Sequence, residues 1–168
     1  MSTPGRPPFI IATAQVEEEP SQYPKSDEVV GFYREIGKVA GLLRHGLHVC
    51  RLPPGHRTSY PHAERDEEEF VYVLEGEVDG WIDGTLYRME RGDLAAFPCG
   101  TGISHTFLNN GAHEALLLVC GEKSRDSNKI YYPLNPERRA DMTENTWWDD
   151  APQKLLGPHN GKPRTGQE

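Results

Sequence analysis

Apolar and polar positions alternate with a period of two through the middle of the chain, and that period predicts strands. From Leu43 to Arg51, Leu43, His45, Leu47 and Val49 fall on one face, and Arg44, His48 and Cys50 on the other. Pro53-Pro54-Gly55 ends the run. Glu69–Leu74 reads EFVYVL, aromatic and β-branched, before Glu75-Gly76 turns the chain. Counting from Glu69, Val71 and Val73 share the inward face of this strand, while Phe70 and Tyr72 take the other. Val78–Ile82 and Thr85–Met89 are joined by Asp83-Gly84, a two-residue hairpin signal because both central positions favour φ > 0. Asp93–Phe97, His105–Asn109 and Glu114–Cys120 complete the set. Short strands at this spacing predict an all-β sandwich or closed barrel, not a parallel α/β sheet.

The flanks read differently. Residues 1–41 are polar, proline-rich and acidic at Glu17–Glu19, which predicts an N-terminal arm with one short helical turn. Its apolar pieces, Phe9-Ile10-Ile11 and Val29-Val30, are expected to pack on the barrel of residues 42–121. Residues 122–168 turn polar again, with Tyr131-Tyr132-Pro133 and Trp147-Trp148 as apolar anchors. Such an extension wraps its own domain or a partner subunit more often than it forms a second domain.

Composition narrows the class. With 168 residues the chain is sized for one domain with a core. Its 17 glycines and 14 prolines suit many tight turns. A net charge of -8 repels phosphate backbones and anionic lipid headgroups, so neither nucleic acid nor a membrane is an expected partner. No apolar run approaches the roughly 20 residues of a membrane span, and Met1–Pro8 lacks a signal pattern. Three cysteines without a CxxC fit a reducing cytoplasm better than a disulfide framework.

Chemistry concentrates in His62, Glu64, Glu69 and His105. Imidazole nitrogen with carboxylate oxygen suits one divalent transition metal, Fe, Mn, Ni, Co or Zn. His62 and Glu64 are two apart, so on extended backbone they point the same way. Glu67 and Glu68 belong to an acidic run, read as a solvated face. Phe107, two after His105, is expected to line a pocket with Val71, and Arg57 to stand at its rim.

The spacing carries a family resemblance. Gly55, His62, Glu64, Glu69 and Gly76 read G-x6-H-x-E-x4-E-x6-G, and Gly92, Pro98, Gly100, His105 and Asn109 read G-x5-P-x-G-x4-H-x3-N. This resembles the two motifs of the cupin superfamily, and in particular small single-domain bacterial cupins. The resemblance implies a double-stranded β-helix, or jelly-roll, barrel with metal held by His62, Glu69 and His105. Glu64 stands where the second histidine of the first motif usually is. That exchange makes the implied site more anionic and leaves Glu64 as either a fourth ligand or a catalytic general base.

Three functions follow as expectations. The first is a metal-dependent enzyme on a small polar molecule, with oxygenase chemistry ahead of isomerase, epimerase or lyase chemistry. The second is a non-catalytic module that binds or senses a sugar or small acid. The third is a structural protein that has lost its metal. Exposed strand edges and aromatic terminal arms point to a homodimer.

Overall fold

The computed structural model describes residues 6–123, 125–143 and 146–164. The expected N-terminal arm and C-terminal extension therefore run beyond the described residues at their outer ends. Eleven strands are present among the described residues. In chain order they are β1 (Glu19–Gln22), β2 (Val29–Arg34), β3 (His45–Leu52), β4 (Ala63–Glu64), β5 (Glu69–Glu75) and β6 (Glu77–Ile82). They continue with β7 (Thr85–Glu90), β8 (Leu94–Phe97), β9 (His105–Leu108), β10 (Ala115–Glu122) and β11 (Ile130–Tyr131). A short helix, α1 (Ile36–Val39), links β2 to β3.

The strands form antiparallel sheets, in the order β1-β2-β3-β10-β5-β8 for the larger and β7-β6-β9 for the smaller, with β11 paired to β4. The main core contains Cys50, Leu52, Val71, Val73 and Leu117 of the larger sheet with Val78, Met89 and Phe107 of the smaller. Val71 and Val73 are buried and Phe70 and Tyr72 only half so, as alternation from Glu69 requires. Fully burying such side chains contributes roughly 1.5–3 kcal/mol each.

The Asp83-Gly84 hairpin forms between β6 and β7, with φ of 44° and 86°. Gly84 is required twice over. A Cβ there would lie 2.3 Å from the backbone nitrogen of Gly157, because the C-terminal segment runs directly across the turn. Gly157 N–H donates to the Asp83 carbonyl, and Trp81 Nε1 donates to the His159 carbonyl at 2.9 Å. The tail thus wraps its own domain, and Trp147 and Trp148 are buried in it.

The N-terminal segment departs from expectation. Residues 19–34 are not an extended arm but two strands of the larger sheet, with Tyr33 opposite Cys50 and Phe32 opposite Arg51. The short run Val29-Val30-Gly31-Phe32-Tyr33 is β-branched and aromatic, and charged residues on either side obscure it. Val30 is buried, whereas Phe9 is 80% exposed and does not pack as expected. Leu43 is also exposed, because β3 begins only at His45. No helix among the described residues is long and apolar enough to cross a membrane.

Candidate metal centre

Two histidines forty-three positions apart in sequence meet because their backbones pair. His62 N–H donates to the His105 carbonyl at 3.2 Å, and His105 N–H donates to the His62 carbonyl at 2.9 Å. In an antiparallel pair of this kind the two side chains leave the ladder on one face. Their rings lie 5.0 Å apart. Glu69 opens β5, where it sits opposite Phe97 of β8 and Gly121 of β10. Its Oε2 lies 3.1 Å from His105 Nε2 and 3.7 Å from His62 Nε2.

One donor atom from each of His62, Glu69 and His105 falls within 4.8 Å of the others. Ligand bonds of about 2.1 Å place neighbouring donors about 3–3.4 Å apart, so the observed separations suit a divalent ion with little movement. Two imidazoles and one carboxylate form a donor set for Mn, Fe, Co, Ni or Zn.

The imidazoles are held for that task. His62 Nδ1 donates to the Tyr60 carbonyl at 2.9 Å, which fixes the proton there and leaves the Nε2 lone pair toward Glu69. Burial, helped by the nearby His105, keeps the affinity of His62 for a second proton below its ordinary value. The ring of His105 stacks on Phe97, with centroids 3.5 Å apart and planes 4° from parallel. Burial raises the pKa of Glu69, but the His105 hydrogen bond and the fields of His105, His62 and His48 outweigh it and keep the carboxylate ionised.

A cavity of about 40 Å³ adjoins the three residues. Val71 and Phe107 line it, and so do Tyr33, Thr58, Ser59 and Val119. Tyr33 comes from the N-terminal segment, and its hydroxyl donates to the Thr58 carbonyl at 2.7 Å. Sequence reasoning missed Tyr33, Thr58 and Ser59. Alternation within β2 points Tyr33 to the side of Cys50, but only if β2 is first recognised as a strand of this sheet.

Two other expected site residues lie elsewhere. Arg57 is buried, but its guanidinium binds both Glu28 oxygens at 2.6 and 2.7 Å and the Gly161 carbonyl at 2.9 Å, over the ring of Tyr60. That leaves it no free edge for the cavity, and it is not among the lining residues. Glu64 is on β4 opposite Ile130, outside the group of three converging donors and outside the cavity lining. Burial, with Glu69 and Glu67 nearby, pushes its pKa up to about 8. Glu67 is not the solvated residue the acidic run implied. It is buried, and its Oε1 accepts the Arg125 N–H.

A family described as cupin domain matches residues 48–121. The chain is similar to a solved sugar phosphate isomerase "from a cupin superfamily" of Silicibacter pomeroyi. The two are 31% identical over 71% of this chain and 78% of that one, with a TM-score of 0.66. A protein named "Putative sugar phosphate isomerase" from Acidithiobacillus ferrooxidans is 26% identical over 75% of this chain and 81% of its own, with a TM-score of 0.70. The polyketide cyclase RemF of Streptomyces resistomycificus shares the fold at 21% identity and a TM-score of 0.61, covering 81% of this chain and 94% of its own. No curated protein matches the chain.

Proposed function

The chain belongs to the cupin superfamily, and from that premise we propose that His62, Glu69 and His105 hold one divalent transition metal for an isomerase acting on a small hydroxy-carbonyl compound. The observation that carries the reading is the convergence of three donor atoms within 4.8 Å beside a mostly buried cavity. A bound divalent ion supplies Lewis-acid polarisation of a carbonyl and stabilises a neighbouring oxyanion.

The chain's own residues do the rest. Tyr60 fixes the proton on His62 Nδ1, Phe97 fixes the plane of His105, and Glu69 supplies the negative charge that balances the ion. Val71, Phe107 and Val119 keep water from the inner side of the cavity, which strengthens electrostatic interactions within it. Glu64 is directed toward Glu67 and Asn128, so in this reading it is not a ligand. Isomerisation takes precedence over the oxygenase chemistry expected from a two-histidine, one-carboxylate set. The ground is that two relatives above 25% identity, with TM-scores of 0.66 and 0.70, carry an isomerase name.

Metal analysis of protein purified without chelator or a nickel column tests the centre. About one equivalent is expected, and under about 0.2 equivalents overturns the reading, since intact sites retain their ion. His62→Ala and His105→Ala should each empty the site while leaving the β circular dichroism spectrum intact. Aldose–ketose interconversion followed by NMR on metal-loaded protein tests the reaction. A ligand that binds tightly and is recovered unchanged would favour the non-catalytic binding module instead.

The outer face of the larger sheet supports a homodimer. Phe70, Leu118 and Cys120 are only half-buried there and Leu94 is 55% exposed, an apolar row that a second copy would cover. Light scattering that gives a monomer near 18.9 kDa would refute it. All three cysteines are free, which supports a reducing, cytoplasmic setting.

A further inference from the structure

A cavity of about 40 Å³ has room for an ion and a water, not for a sugar. The substrate must therefore lie partly in a neighbouring hollow. Tyr33 separates the cavity from one of about 300 Å³, whose other lining residues are Glu19, Pro20, Ser21, Glu35 and His48. A second hollow, of about 230 Å³, also touches Glu69, but Phe70, Ala96 and Cys120 in its lining are outward side chains of the larger sheet, so it belongs to the outer face.

Among the described residues, the hollow beside Tyr33 has no lysine or arginine in its lining. The cations beside that hollow are already engaged. Lys38, 81% exposed, pairs with Glu35 at 2.9 Å from the solvent side, so one ammonium faces both Glu35 and Glu19. Arg34 pairs with Glu18. The polar groups facing the hollow are the Glu19 and Glu35 carboxylates, the Ser21 hydroxyl and the His48 imidazole. His48 lies on the inner side of β3 opposite Val119, its ring edge-on to Tyr33 at 6.1 Å, and its Nδ1 is buried without a partner.

Such groups suit hydroxyls. Carboxylates accept O–H donors, and an imidazole with an unengaged nitrogen can donate or accept. A phosphate ester is different, because it carries about -1.5 to -2 charges at neutral pH and would bring them against Glu19 and Glu35, whose neighbouring cations among the described residues are already paired. From this lining we infer that the molecule taken by this centre is an uncharged polyhydroxy carbonyl compound, the size of a pentose or hexose, and not its phosphate ester. The inference rests on the metal centre proposed above and departs from the names its relatives carry.

Calorimetric titration of the manganese-loaded full-length protein with ribose and with ribose 5-phosphate tests it, after metal content is measured in the same samples. Ribose is expected to bind at least about tenfold tighter than the ester, the equivalent of one charge penalty. The Glu19→Gln/Glu35→Gln double variant should narrow the gap by strengthening the ester. His48→Ala should weaken ribose about tenfold with metal content unchanged. Equal or tighter binding of the ester, or binding of neither probe, overturns the substrate class while the metal centre stands on its own measurement. Samples that fail to load metal overturn both.

Discussion

Glu64 and Glu69 flank one turn of chain, five residues apart, and the fold gives them opposite surroundings. Glu69 faces two imidazoles and keeps its charge, despite burial, because His105 and His62 compensate it. Glu64 faces other carboxylates, and burial together with Glu69 and Glu67 drives it toward the protonated form. A carboxylate buried among positive or polarisable partners is ready to meet a cation. One buried among other carboxylates holds a proton instead. What separates the two is the partner each strand supplies: β5 brings Glu69 beside His105, whereas β4 is turned toward β11 and Asn128.

The comparison breaks first at Glu69. Glu69→Ala should lower metal affinity by at least about 100-fold, more than loss of an outer partner costs, as read by competition with a chelator. Unchanged affinity would mean that the ion sits elsewhere. Next in size is Phe97→Ala, which removes both a core side chain and the ring under His105. It should cost about 3 kcal/mol or more in denaturant unfolding and also weaken metal binding. A stability loss with unchanged metal affinity would show that the stacking does not hold the imidazole.

Glu64→Gln is expected to change metal affinity by less than about threefold, since an outlying carboxyl that mostly holds its proton contributes little charge. A loss as large as that of Glu69→Ala would move Glu64 into the ligand set and collapse the distinction. The smallest effect is reserved for a third carboxylate. Glu18 hydrogen-bonds Arg51 and pairs with Arg34, and that arginine pairing holds its pKa below the ordinary value of 4.5. Its stabilising contribution is therefore complete above pH 4.5 and is lost as the pH falls through the lowered folded value. Being near the surface, it amounts to about 1 kcal/mol or less. Glu18→Gln should flatten that part of the acid limb in a pH series of melting temperatures; an unchanged limb would show that the pairing contributes nothing.

Much of this was legible beforehand, and particular residues show why. Glu69 stands at a spacing from Gly76 that a strand and turn enforce, so its inward direction followed from counting alternate positions to Val71 and Val73. The Asp83-Gly84 turn is a local property of two residues and appeared where expected. Tyr33 was not legible, because its strand is short and its partner β3 is reached only through the pairing of the whole sheet. Arg57 went astray for a related reason. A guanidinium follows the nearest free carboxylate, and Glu28 lies twenty-nine residues upstream in sequence.

By itself, then, the sequence determined the strand periods and the turns of the barrel, since those depend on backbone preferences within a few residues, while the motif resemblance named His62, Glu69 and His105 and left Glu64 open beside them. The tertiary structure alone decided that β2 walls the cavity, that Glu64 lies among Glu67 and Asn128, and that acidic groups line the hollow beside Tyr33. Those outcomes depend on which distant side chains share a low-dielectric space. Such proximity is a property of the assembled sheets, and no local spacing encodes it.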